Sequence, residues 1–270
     1  MSPVRRTVLV VVSVLASLGV LAAAIIWFLE PRRSPTESEG TREPLPSWAP
    51  PAAPPVAATE PNGLPGVASL VDAGWLDTVS EATGIPRRAL AAYAGAALAK
   101  QQESPACRLD WTTLAGIGAT ESDHGRHGGS SIDEEGFARP SIYGVALDGD
   151  GVVLVPDSDG GEIDGDAELD RAVGPMQFIP QAWRNWGGDA NGDGIVDPNH
   201  IDDAVVAAAS YLCRASSEYD TEDGWRAGVR AYNAPEVYLG TVAKYARAYA
   251  AEAAEALHGA SPTPTPTPTP

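Results

Sequence analysis

The chain has 270 residues and carries 36 acidic against 18 basic side chains, a formal net charge of −18. Sequence-neutral binding to nucleic acid needs lysines and arginines to neutralise phosphates. This balance, with no basic stripe interleaved with aromatics, therefore disfavours a nucleic-acid partner. An acidic protein also gains nothing from an anionic lipid surface, so any membrane attachment has to be hydrophobic.

Such an attachment is predicted at the start of the chain. After a stub at 1–6, expected to be cytoplasmic, residues 7–29 run for 23 positions without a charge, about 35 Å as a helix and enough to span a bilayer. The run is long for a signal-peptide core, and no small-x-small cleavage site precedes Glu30 and Pro31. The expectation is an uncleaved single-pass anchor with the rest of the chain extracytoplasmic; cleavage would give a secreted form. A lone cysteine pair, Cys107 and Cys213, in an exported chain predicts one disulfide, two buried thiols being the alternative. Residues 30–63 are rich in Pro, Glu, Ser, Thr and Ala and are expected to be a disordered spacer. Residues 259–270, which include SPTPTPTPTP, read as a disordered tail. One domain remains, at 64–258, without internal repeats.

That domain reads as mainly helical. A first helix is predicted over 67–83, closed by Gly84, and a second begins after Pro86 with Leu90, Tyr93, Ala94, Ala97 and Leu98 on one face. Asp110 is placed to cap a third, on which Trp111, Leu114, Gly118 and Glu121 share a face. Later stripes are Ile201, Val205, Ala208 and Leu212, then Trp225, Val229 and Tyr232, then Tyr238, Val242, Tyr245 and Tyr249. Residues 126–172 break the pattern, and 145–155, around DGDG, are predicted to form a β-hairpin inserted in the α-domain.

Glu121 carries the strongest chemical signal. Its spacing puts a carboxylate at the C-terminal end of an otherwise apolar, inward face, where burial and the negative helix end both raise a carboxyl pKa, as a general acid at neutral pH needs. A frayed helix end with a solvated side chain is the alternative. Asp189, Asn191, Asp193, Gly194 and Asp197 match positions 1, 3, 5, 6 and 9 of a calcium loop, with the Ile195 carbonyl as a further ligand. At position 12 His200 replaces the usual Glu, leaving Asp202 or Asp203 as the nearest substitutes. His124 and His127 lack the HExxH arrangement and a third ligand, so zinc is not expected. No GxSxG supports a serine hydrolase. Residues 174–183, GPMQFIPQAW, offer Met176, Gln177 and Phe178 at a rim where a sugar could stack and hydrogen-bond, or else belong to the core.

Four segments in this order, ESDHG, GPMQFIPQAW, the calcium-like loop leading into IDDAVVAAASYLC, and AYNAPEVY, resemble lytic murein transglycosylases. The resemblance is to the membrane-bound lytic transglycosylase B family, glycoside hydrolase family 103, in its actinobacterial form, over about residues 64–250. It implies a lysozyme-like α-domain acting on peptidoglycan glycan strands, with Glu121 as the catalytic Glu and Ser122 beside it. It further implies that Met176 and Gln177 line the cleft and that Tyr232 and Asn233 close it; Tyr238, just beyond, is expected to bind substrate with them. Ala234-Pro235 after the Tyr-Asn pair, and His200 in the metal loop, depart from the family pattern. The implied chemistry is cleavage between N-acetylmuramic acid and N-acetylglucosamine by a single acid, with closure of a 1,6-anhydro ring and structural Ca²⁺. The competing expectations are a hydrolytic muramidase using Asp123, Asp133 or Glu134, and a non-catalytic wall-binding scaffold protein.

Overall fold

Helix α2, Arg87–Glu103, is the axis on which the other elements are hung. From Ala89 to Ala97 it is buried on every side, because its run of alanines lets neighbours approach from all directions. A computed structural model describes residues 44–259. Around α2 lie α1 (Ala73–Thr83), α3 (Trp111–Ser122), α4 (Pro180–Trp186), α5 (Ile201–Ala215), α6 (Glu222–Tyr232) and the long α7 (Glu236–Gly259). The fold is mainly α, as predicted. Two small antiparallel pairs complete it: β1 (Ser131–Ile132) with β2 (Ala138–Arg139), and β3 (Tyr143–Ala146) with β4 (Arg171–Val173).

Helix ends follow from local chemistry. Asp110 caps α3 by accepting from the Thr113 N–H at 2.9 Å, and Thr221 caps α6 by accepting from Gly224 at 3.1 Å. Helix α3 packs most extensively on α7. It approaches α2 closely at Gly118, where any added Cβ would run into the Tyr93 hydroxyl.

Three expectations are corrected. The helix predicted over 67–83 is broken in two, a 3-10 turn at Gly66–Leu70 and then α1. At the break, Val71 pairs with Ala57, the Asp72 N–H donates to the Val56 carbonyl at 2.9 Å, and the Asp72 carboxylate caps the new helix at the Trp75 N–H. The same contacts change the picture of the spacer, since residues 44–63 lie against the domain. Ala49 is buried, Trp111 donates to the Ala53 carbonyl, and Arg226 donates to that of Ser47. Low apolar content kept this strap from looking foldable, but it borrows a surface already formed. Finally, 145–155 is no hairpin: β3 pairs with β4 some 25 residues downstream, in the register Tyr143↔Val173, and Leu147 and Val155 close the DGDG loop through one backbone bond of 2.8 Å. The Asp- and Gly-rich stretch does turn the chain, but the strand that pairs with β3 lies farther on in the sequence, where local pattern carries no signal of it. The predicted anchor at 7–29 and the SPTPTPTPTP tail lie outside the described residues. Among the described residues no helix is long and apolar enough to cross a membrane.

Cys107, before α3, is disulfide-bonded to Cys213 in the last turn of α5, across a separation of 106 residues. Closing so long a loop restricts the unfolded chain, and reduction is expected to lower stability by roughly 2–5 kcal/mol. Thiol labelling of the unreduced, denatured protein checks the bond: labelling of both cysteines before reduction would refute it.

Candidate active site

Glu121 sits in the last turn of α3 with 3% of its surface exposed. Its one hydrogen-bonding side-chain partner among the described residues is Tyr238 of α7, whose hydroxyl donates to Oε1 at 2.8 Å. Burial pushes the Glu121 pKa up to about 8, and the Tyr238 bond pulls in the opposite direction without offsetting it. The carboxyl is therefore protonated at neutral pH, and its Oε2 is not engaged by any protein group among the described residues. An acid that keeps its proton at pH 7, with one oxygen held, is equipped to deliver that proton to a ligand oxygen.

The chain turns sharply after Glu121, with Asp123 and His124 both at positive φ. His124 is buried between α2 and α7, its ring nitrogens 3.2 Å from the Tyr93 hydroxyl and 2.8 Å from that of Tyr249. Burial lowers its pKa to about 4, with the nearby Arg126 charge acting in the same direction. The imidazole is thus a neutral peg that fixes the end of α3 between two helices.

Residues 173–178 form a tight hairpin. The Val173 N–H donates to the Phe178 carbonyl and the Phe178 N–H donates back to that of Val173. Gly174, at φ 78°, lies so close to the Pro198 carbonyl that no side chain could be accommodated there. The tip is tied to the Glu121 helix, because Ser122 Oγ donates to the Pro175 carbonyl at 2.7 Å and accepts from the Gly125 N–H at 2.8 Å. Tyr232 donates to the Met176 carbonyl at 2.7 Å. Gln177, at φ 50°, donates through Nε2 to the Gly174 carbonyl.

The structure thus brings Glu121, Ser122, Met176, Gln177, Phe178, Tyr232, Asn233 and Tyr238 into one neighbourhood, though not all in the manner expected. Ser122, Met176 and Phe178 are fully buried and brace or underlie the site rather than rim it. Phe178 packs edge-on against Trp183 and Tyr232. Asn233 is 1% exposed, and neither its carboxamide O nor its N has a hydrogen-bond partner among the described residues. Leaving such groups unpaired costs about 1–3 kcal/mol apiece, which marks Asn233 as a site for a water or a ligand group. The acids considered as hydrolytic partners are engaged elsewhere: Asp123 pairs with Arg126 and Asp133 with Arg139. Burial alone would raise the Asp133 carboxyl, but the Arg139 guanidinium and the backbone N–H groups of Phe137 and Gly136 hold it below its usual range. Glu134 is exposed.

In the calcium-like loop, Asp189 accepts from the N–H groups of Gly192 and Gly194, Asp193 from Asn191 Nδ2 and the Ile195 N–H, and Asp197 from the Asn199 N–H. The open question at its end is decided by packing. Asp202 turns inward to a bidentate ion pair with Arg88 at 2.7–2.8 Å, and His200 points to the Glu135 carbonyl. Asp203 faces the loop, accepting from the Ala190 and Asp197 N–H groups at 2.8 and 3.0 Å. It is 1% exposed, and burial raises its pKa, with the Asp189 charge adding to the effect. The donor set is all oxygen, the kind a hard cation takes, but among the described residues the carboxylates of this loop accept from its own N–H groups and do not gather into a close cluster of three. A second acidic group escaped the sequence reading: Asp157, Asp159 and Asp170 bring carboxylate oxygens within 4.8 Å of one another. Its only sequence signal was a run of Asp and Gly without calcium-loop spacing.

A family model described as a transglycosylase SLT domain matches residues 169–266. Over that stretch the chain is similar to lytic transglycosylases. The match runs from β4 through the calcium-like loop and the Tyr232-Asn233 pair. Glu121 precedes the matched stretch. No curated protein and no solved structure matches the chain.

Titration of Glu121 leaves a signature in stability. The carboxyl loses its proton near pH 4.5 when unfolded and near pH 8 when folded, so between those values the native state holds the extra proton. Stability therefore falls as pH rises through this window, by up to about 1.4 kcal/mol per pH unit. Glu121→Gln removes the titration, so the stability difference between variant and wild type should move in favour of Gln from pH 5 to pH 8. Urea unfolding at the two pH values measures this, and a pH-independent gap would show that Glu121 is not a buried, titrating acid.

Proposed function

We propose that this protein is a peptidoglycan lytic transglycosylase that cleaves the β-1,4 bond between N-acetylmuramic acid and N-acetylglucosamine, with Glu121 as general acid and then general base. The observation that carries this is a buried carboxyl, protonated at neutral pH, with one oxygen held by Tyr238 and no second carboxylate contributing to its pKa shift. A hydrolase of the common two-carboxylate type needs a second acid flanking the bond, and Asp123 and Asp133 are committed to arginines.

In this mechanism Glu121 protonates the glycosidic oxygen as the C1–O bond breaks, while the substrate's own N-acetyl group stabilises the positive charge at C1. The Tyr238 hydroxyl stabilises the carboxylate so formed. That carboxylate takes the proton from the C6 hydroxyl, whose oxygen attacks C1 and closes the 1,6-anhydro ring. Glu121 regains its proton, and no water is consumed. Asn233, buried beside this chemistry with both amide atoms unpaired, offers a donor and an acceptor to a polar group of the sugar. The domain would work outside the cytoplasm, tethered through residues 7–29, and the disulfide suits an oxidising compartment.

Digestion of purified sacculi is expected to release muropeptides ending in 1,6-anhydro-N-acetylmuramic acid, about 18 Da lighter than the hydrolytic products. Glu121→Gln should reduce turnover by about 10²- to 10⁴-fold, with binding much less affected. Reducing-end products would point to a muramidase, and full activity in the Gln variant would remove Glu121 from the mechanism.

Calcium is proposed at Asp189, Asn191, Asp193, the Ile195 carbonyl, Asp197 and Asp203, where it would neutralise the acids of the loop and stabilise the fold without entering the reaction. The thermal midpoint should rise on adding Ca²⁺ and fall with chelator, and Asp203→Ala should abolish the response. A chelator-insensitive midpoint in metal-containing protein, or an unchanged response in the variant, would count against this ligand set.

A further inference from the structure

Tyr143, the first residue of β3, leaves 48% of its surface exposed while its neighbour Ile142 and its cross-strand partner Val173 are buried. Among the described residues its ring meets no other aromatic ring and its hydroxyl makes no hydrogen bond. Tyr245, the other exposed tyrosine, instead stacks on Tyr249 with centroids 6.0 Å apart. A single exposed aromatic is ordinarily unremarkable on a protein surface. Its position makes this one informative.

Two hydrogen-bonded links join Tyr143 to the acid. The Ile142 carbonyl accepts from the Gly174 N–H at 2.8 Å, and the next residue along the hairpin, Pro175, accepts from Ser122, adjacent to Glu121. Directly opposed residues in an antiparallel pair share a face, so Tyr143 lies on the side of Val173. Val173 in turn bridges to Phe178, whose ring meets Tyr232 edge-on at 6.1 Å. The strand under Tyr143 is pinned as well, because the missing side chain of Gly144 leaves room for the Gln177 carboxamide and Ala172. An exposed aromatic ring thus stands on a fixed strand beside the hairpin that borders Glu121.

We propose that Tyr143 is a substrate-binding residue whose ring is the platform for a pyranose ring of the glycan strand, next to the sugar whose bond Glu121 protonates. A pyranose turns an apolar C–H face to one side, and those polarised hydrogens suit the negative face of an aromatic ring. A tyrosine has few rotatable bonds to immobilise, so the contact costs little conformational entropy. The hydroxyl would reach the polar edge of the sugar, but the stacking face supplies the affinity. The inference rests on the proposed glycan substrate and deepens it.

Calorimetric titration of the full-length Glu121→Gln protein with a soluble N-acetylglucosamine–N-acetylmuramic acid tetrasaccharide tests this without turnover. Adding Tyr143→Ala should weaken binding roughly tenfold, whereas Tyr143→Phe and Tyr143→Trp should stay within about threefold. In otherwise wild-type protein, Tyr143→Ala should raise KM by a similar factor and leave kcat nearly unchanged. The thermal midpoint should not move, since the side chain is half exposed. Unchanged binding in the Ala variant, or a Phe variant as weak as Ala, would overturn the stacking role and leave the proposed function standing. No binding of the tetrasaccharide by Glu121→Gln with Tyr143 intact would overturn both.

Discussion

Burial of a single carboxyl organises this molecule. A carboxylate at the Glu121 position would cost several kcal/mol to desolvate, so the group keeps its proton instead. That state persists only if water is excluded from the end of α3. Several features serve this: Tyr238 covers one carboxyl oxygen, His124 wedges the following turn between Tyr93 and Tyr249, and Ser122 ties the helix end to the 173–178 hairpin. Each is a contact between elements far apart in the chain. The protonated state of Glu121 thus depends on the packing of α3 against α2 and α7 as much as on the acid itself.

The hairpin has a second role, as a junction. Its backbone carbonyls accept from Ser122, from Tyr232 and from the side chain of Gln177, and its amides engage Ile142 and Phe178. Met176 and Phe178 beneath it are fully buried. Backbone polar groups satisfied from several directions over an apolar base hold a loop as firmly as a helix would. This explains how so short a hairpin can define one side of the candidate site.

Farther out, Arg88 and Asp202 form an ion pair with side-chain exposures of 8% and 0%. Such a buried pair depends on good hydrogen bonding, and here the bidentate contact is supplemented by a bond from Arg88 Nη2 to the Glu135 carbonyl, while Arg88 Nε has no hydrogen-bond partner among the described residues. By taking Asp202 out of contention, Arg88 leaves Asp203 to the calcium-like loop. The start of α5 thereby reaches both α2 on one side and the loop on the other.

The sequence by itself determined a buried face for most of the helices, because a 3.6-residue period of apolar side chains has a single solution once an interior exists; α2, buried on every side, and the exposed Tyr245 on α7 depart from it. It thus marked Glu121 as an acid on an inward face, paired the two cysteines, and picked out the segments around residues 174–183 and 232–233. Tertiary structure decided everything that depended on a partner distant in the chain. The break at Val71 comes from the Ala57 strap, and β3 finds β4 rather than the end of its own loop. Ser122, Met176 and Phe178 became braces rather than rim, Asp203 rather than Asp202 faces the calcium-like loop, and Tyr143 was left bare beside the site. Local pattern reports what a side chain prefers to touch, but the neighbour it meets is fixed only when strands and helices close on one another, and at this site those neighbours come from four separate stretches of chain.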